Sequence, residues 1–334
     1  MTAISSAETL RLPALDTLRG VAILMVLLSH FAAPLIVWAP ASTLVTTFGI
    51  GGVTLFFLLS GYLIFRNVRR QPIPVFLLRR ASKLLPAYWL AIAAIVVSGW
   101  LALQPTFSWP VYAANALLIP DLFTHTMIAG HLWTLVIEAK FYLLVALQFW
   151  LFPTARSIGA LAALIALNAA FFLVTQRGSV LLSFLPVFYI GVEILRWEEE
   201  GEAAPATRRL TLVAAAVATS TFLFVAYENV AASVYAIAGA AVFVWALRAE
   251  WDVAWLRFLG RISYSLYLFH VIVGFPVADA VAGAGGPGWT AMIAGMAASV
   301  AVGYLSFRYI EAPGVAFGRR LETAFALTRA PRVS

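Results

Sequence analysis

The 334 residues include no cysteine, which removes disulfides, thiolate nucleophiles and thiolate metal sites and leaves the redox compartment open. Charge is scarce. Asp, Glu, Lys and Arg make up 11% of the chain, against about a quarter in soluble domains. Histidine is limited to His30, His125, His131 and His270. None of them stands in an H-x-x-x-H or similar ligand spacing, so neither a structural nor a catalytic metal is expected. No Gly-rich phosphate loop is present, and no hydrophilic stretch is long enough to fold alone, so residues 1–334 are expected to form one domain.

What is abundant is apolar surface: 63% hydrophobic residues with a mean hydropathy of +0.93. The chain reads as an all-α polytopic integral membrane bundle. Apolar runs at 20–39, 48–65, 84–103, 132–152, 157–174, 178–195, 210–227, 230–247, 262–282 and 289–308 each approach the roughly 20 residues that span a bilayer. That makes about ten helices, with Val111–Phe123 too short to span and expected to be re-entrant or interfacial. If both termini are inside, Arg11, Arg19, the cluster Arg66, Arg69, Arg70, Arg79, Arg80 and Lys83, and then Arg156, Arg196, Arg208, Arg209, Arg248, Arg257, Arg261 and Arg308 all collect on the inner face, and only Arg177 falls outside. This one-sided bias predicts an N-in, C-in orientation and accounts for the net charge of +7 without nucleic acid as a partner. Asp121 and Glu228 fall outside, and the acidic run Glu198–Glu202 is expected to be a solvated inner loop. Ala39-Pro40-Ala41 mimics a signal-peptidase site, but the preceding apolar run is too long, and acidic Glu8 and Asp16 stand before it, so no cleavage is expected.

Within the spans, polar residues are costly unless they are paired or face a cavity. Arg19 and His30 bracket ten uncharged residues, and eleven helical steps rise about 16 Å, so the pair runs along nearly one face from the inner edge to mid-membrane. Glu138 and Lys140 lie in the fourth span and His270 in the ninth; His30, Glu138 and His270 are placed to meet in one central cavity, while Lys140 points elsewhere and receives no role. The bland alternative is hydrogen-bonded glue between helices. Arg80 and Lys83, one turn apart at the inner start of the third span, join Arg19 as a candidate phosphate grip. The competing reading is a topology anchor or anionic-lipid contact. His131, Trp133 and Tyr142 suit a sugar, or an aromatic belt. Ser60 and Tyr62 are candidates for the donor entry, whereas Gly61 is read as a packing residue. Ser263, Tyr267 and His270 share one stripe, and His125 is a loop residue.

Taken in order, these segments resemble the membrane acyltransferase type 3 family. The segment Leu15–Gly20 with Arg19 to His30 is similar to the family's first-helix signature. Phe56–Phe65, Arg80 to Lys83, His131–Leu144, Leu259–His270 and Tyr309–Pro313 are similar to later blocks. Two departures stand out: Ala139 and Lys140 replace an acidic residue and Gln found in many relatives, and Lys83 replaces an Arg, keeping charge but losing the bidentate fork. The resemblance implies an acyl-CoA-dependent membrane O-acyltransferase without a fused esterase-like domain. No cofactor would be bound, and acetyl-CoA or another acyl-CoA would be the cosubstrate. The acceptor would be a glycan or lipid-linked sugar hydroxyl, and the setting the cytoplasmic membrane of a bacterium. It implies His30 as base or transient acyl carrier, Glu138 as its orienter or as a hold on the acceptor hydroxyl, and Arg19, Arg80 and Lys83 as the acyl-CoA site. Two alternatives remain: acylation of a cytosolic small molecule such as a secondary metabolite, and a secondary transporter with an intramembrane His/Glu site, against which no internal repeat of the Arg-to-His pattern is found.

Overall fold

In the computed structural model, residues 13–36, 39–101, 105–152, 157–176, 179–201, 206–227 and 230–324 are described. Arg11, Arg156, Arg177, Glu202, Glu228 and the basic tail, which carried part of the orientation argument, lie outside them. The chain is helical throughout: α1 (Pro13–Phe31), α2 (Ala39–Val68), α3 (Ile73–Trp100), α4 (Trp109–Ala116), α5 (Pro120–Phe123), α6 (Trp133–Leu151), α7 (Ser157–Thr175), α8 (Val180–Glu200), α9 (Ala206–Tyr227), α10 (Val230–Arg248), α11 (Ala254–Phe269), α12 (Phe275–Gly283), α13 (Gly288–Ser306) and α14 (Ala312–Ala324). Short 3-10 turns lie at Ala33–Leu35 and Gly130–Leu132. Two π turns, His270–Gly274 and Phe307–Glu311, join α11 to α12 and α13 to α14. Among the described residues, seven helical stretches are long and apolar enough to cross a membrane and three shorter apolar helices accompany them. The protein is an integral membrane bundle.

Several boundaries differ from the hydropathy reading, each for a local reason. The first apolar run breaks at Phe31, where Pro34 enters a 3-10 turn, so α1 ends inside the bundle and leaves His30 in its last turn. Helix α3 starts at Ile73 rather than 84, after Pro72 and with a proline in its first turn, a placement that proline favours. Arg80 and Lys83 therefore sit two to three turns into the helix instead of at its edge. Helix α8 continues through the acidic run until Gly201, whose φ of +57° ends it. Glu198 accepts the Tyr62 hydroxyl and Glu199 pairs with Arg69 at 2.7 Å, so these two are interhelical contacts and not simply solvated charges. The segment Val111–Phe123 forms the short helices α4 and α5, tied down by Asn115, whose carbonyl accepts the Tyr88 hydroxyl at 2.7 Å.

Two close crossings set the centre of the bundle. A Cβ on Gly61 would fall 1.8 Å from the carbonyl oxygen of Phe188, and one on Gly191 would fall 2.0 Å from that of Leu58, so α2 and α8 touch backbone to backbone. In the same way Gly20 meets Leu256 at 2.0 Å and Gly260 meets Asp16 at 1.8 Å, locking α1 to α11. Small residues permit this contact, which supplies the packing that holds helices together when lipid removes the hydrophobic drive. Lys140 pairs with Asp121 and takes no part in the centre.

Candidate functional site

The α1–α11 crossing and the long α3 bring Arg19, Arg80 and Lys83 together. They line two connected spaces. The outer one, about 750 Å³, opens at the end of the bundle where α2 finishes and α3 begins. Its wall adds Arg66, Arg70 and Arg79 from that corner, Arg261 from α11 and Arg319 from α14, against only Asp16 and Glu311. Glu322 takes two hydrogen bonds from Arg79, at 2.8 and 2.9 Å, and Glu311 accepts the Ser265 hydroxyl at 2.9 Å. Even so, the vestibule remains strongly cationic.

The inner space, about 90 Å³, is narrower and shares Arg19, Leu63, Arg80 and Lys83 with the vestibule. Ser60, Phe56 and Phe57 from α2, Thr134, Glu138 and Tyr142 from α6, and Ser263, Tyr264 and Tyr267 from α11 complete it. Glu138 accepts from Tyr142 at 2.5 Å and from Ser60 at 2.9 Å. Arg19, Arg80 and Lys83 form no ion pair among the described residues. The Nε of Arg80 and the Ser263 hydroxyl are buried without a hydrogen-bond partner in the protein. Unpaired cations and unsatisfied donors cost free energy inside a bundle, and they suit an anionic, hydrogen-bonding ligand.

His30 lies beyond this cavity. Phe56 and Tyr267 close the cavity's inner end in an edge-to-face pair at 6.3 Å. The Tyr267 ring stands 5.4 Å from that of His270, and His270 Nε2 is 3.1 Å from His30 Nδ1. The expectation of one cavity holding His30, Glu138 and His270 is thus corrected. The imidazoles face each other on one side of Tyr267, and Glu138 faces the cations on the other. Glu138 does not orient the His30 ring, because its bonds go to Ser60 and Tyr142.

The remaining candidates divide in the same way. Ser60, Tyr142 and Tyr267 line the cavity. Tyr62 does not, since two positions along α2 turn it about 200° away from Ser60, and it is buried against Phe243 with its hydroxyl on Glu198. His131 is buried, its Nε2 3.1 Å from the Leu268 carbonyl and its ring 5.1 Å from that of His270. Trp133 packs on Phe57 and Phe184 and lines a separate apolar pocket with Lys140 and Asp121. His125 is an exposed loop residue. Sequence reading missed Thr134, Tyr264, Arg261 and Arg319 as site residues. Tyr264 donates to the Leu84 carbonyl at 2.6 Å and so ties α11 to α3. Arg261 and Tyr264 belong to the block Leu259–His270 already singled out, so their neighbourhood was marked, but Arg319 carried no signal.

A family model described as an acyltransferase domain matches residues 12–308. The chain is 28% identical over 307 residues to Nodulation protein 10 of Rhizobium leguminosarum bv. viciae, covering 80% of this chain and 83% of that protein. It is 27% identical over 301 residues to the exopolysaccharide production protein ExoZ of Rhizobium meliloti (strain 1021), covering 82% of this chain and 92% of that protein. No solved structure matches. With its helical bundle, its cationic cavity and a family match over nearly its whole length, the chain belongs to the acyltransferase 3 family of membrane enzymes.

Proposed function

We propose that this acyltransferase takes an acyl group, most simply acetyl, from acyl-CoA and passes it to a hydroxyl of a glycan or lipid-linked sugar in the cytoplasmic membrane of a bacterium. One observation carries the reading: three unpaired cations, Arg19, Arg80 and Lys83, form the neck between a wide basic vestibule and a narrow polar cavity. A CoA thioester has this shape and charge, with a phosphate-rich head on a slender amide-bearing arm. The Lys/Arg bias supports a vestibule on the cytosolic side, where CoA thioesters are made. The exopolysaccharide relative supports a glycan acceptor.

In this reading the head stays with the vestibule arginines and the arm enters past Arg80 and Glu138. The Phe56–Tyr267 pair parts to let the thioester reach the imidazole pair. His30 takes the proton of the acceptor hydroxyl as that oxygen attacks the thioester carbonyl. The C–S bond then breaks, and the thiolate leaves with the proton returned by His30, giving ester and free CoA.

The experiment is incubation of the purified protein in lipid with radiolabelled acetyl-CoA and membrane glycolipid or polymeric glycan. Label is expected in the glycan fraction, with transfer falling about 100-fold or more in His30→Ala. Label that enters only small water-soluble products would move the acceptor to a cytosolic metabolite. Thioester cleavage equal in wild type and His30→Ala would remove His30 from the chemistry.

A further inference from the structure

His30 and His270 meet where a helix slips register. At the π turn His270–Gly274 the backbone leaves its regular α pattern, a feature that often marks functional positions. The two carbonyls beside this slip are both taken by imidazoles: Tyr267 O lies 2.7 Å from His270 Nδ1, and Leu268 O lies 3.1 Å from His131 Nε2.

A carbonyl oxygen has no hydrogen to give, so His270 donates at Nδ1. No carboxylate contacts either ring of the His30–His270 pair among the described residues, and a neutral imidazole carries a single N–H. His270 Nε2 therefore accepts, and its partner 3.1 Å away, His30 Nδ1, donates, with the Val26 carbonyl as a further acceptor near the His30 ring. The ring centroids are 5.0 Å apart and the rings are tilted by 33°, a spacing compatible with that bond. The lone pair of His30 is left on Nε2, because the tautomer of one ring nitrogen follows from the bond that the other makes.

We infer that His270 is a positioning residue that holds His30 as its Nδ1–H tautomer, so that Nε2 is the nitrogen presented to the reacting groups. The catalytic meaning of this rests on the function proposed above; the tautomer itself does not. When His30 Nε2 takes up a proton, its Nδ1–H to His270 becomes a charge-assisted bond, which stabilises the imidazolium in a bundle with no carboxylate beside it. His131 does not stand in for His270: its Nε2–H goes to the Leu268 carbonyl, and its Nδ1 has no hydrogen-bond partner, His30 included.

The test is magic-angle-spinning NMR on the full-length protein in lipid with 15N-labelled histidine, each ring assigned by the signal lost in a single-histidine variant. His30 and His270 are both expected with Nδ1 protonated and Nε2 bare; a protonated Nε2 on His30 overturns the inference, with no need for turnover. Kinetics add a second arm. Gln at position 270 can offer an oxygen where Nε2 stood, whereas the shorter Asn cannot reach His30. His270→Asn is expected to lose about 10–100-fold in kcat at unchanged KM for acetyl-CoA, as outer-shell partners of histidine commonly do. His270→Gln is expected to recover most of that loss. Equal loss in both variants, or a loss confined to KM, counts against the inference. If wild type transfers no acetyl group, the proposed function fails, and the NMR result still decides the tautomer.

Discussion

Tyr142 donates its hydroxyl to Glu138 at 2.5 Å from one turn further along α6, and Ser60 reaches the same carboxylate from α2 at 2.9 Å. The carboxylate is thereby fixed facing Arg80 and Lys83, within electrostatic reach of both. It offsets part of the positive charge of Arg80 and Lys83, a charge that Glu311 also faces in the vestibule.

Glu138→Gln keeps an oxygen for the two hydroxyls and removes the charge. The variant is expected to unfold at lower temperature in detergent, at a cost of about 1–3 kcal/mol. Added CoA should raise its midpoint more than that of wild type, because the phosphates supply the missing negative charge. Thermal unfolding with and without CoA measures this; a midpoint equal to that of wild type in both conditions would contradict the balancing role.

On the donor site proposed above, removing a cation from the neck is expected to act on the donor and not on the acceptor. Arg19→Ala and Lys83→Ala should each raise the KM for acetyl-CoA by roughly 10–100-fold, the range of a charged hydrogen bond. Lys83→Arg should retain or lower it, since a guanidinium adds a second prong. Initial rates at varied acetyl-CoA report the donor KM, and an unchanged value in Arg19→Ala would place the CoA head elsewhere.

Ser60 and Tyr62 separate by facing. Ser60→Ala takes a hydroxyl from Glu138 inside the cavity, and the donor KM should change. Tyr62→Phe alters only a contact to Glu198 outside it, so donor KM and kcat are expected to match wild type while stability falls by about 1 kcal/mol. A kinetic defect in Tyr62→Phe at normal stability would reopen the donor entry to that residue.

Gly260→Ala drives a methyl group to 1.8 Å from the Asp16 carbonyl. Backbone cannot yield as a side chain can, and overpacking costs about 1–3 kcal/mol or more. Because α1 carries both Arg19 and His30, donor KM and kcat should worsen together. Gly283→Ala, with nothing within 4 Å of the new Cβ, is the control and should leave both unchanged. A wild-type midpoint for Gly260→Ala would mean that α1 and α11 do not cross so closely.

Much of this was legible in the chain. Apolar runs marked the helices, the Arg19-to-His30 spacing marked a line along α1, and Gly61 marked a crossing. Hydropathy failed at the start of α3 because Arg79, Arg80 and Lys83 lowered the mean over residues that are nonetheless helical. It failed for His270 because that residue, one turn beyond Tyr267 on the same stripe, has the Tyr267 ring between it and the cavity and meets His30 instead of Glu138. The vestibule escaped reading for a different reason: Arg66, Arg261 and Arg319 are scattered over the sequence, and only the packing of α2, α11 and α14 makes them one wall.

The π turn at His270–Gly274 is, in effect, one residue of insertion in an otherwise regular helix. Lipid offers no water to mend the backbone there, and two histidine side chains do it instead. A descendant that lost a single codon in this stretch would straighten the helix and regain its regular ladder. If His270 positions His30 as inferred above, the smoother protein would be the poorer catalyst, and the length of this segment would matter to acyl transfer as much as which side chains it carries.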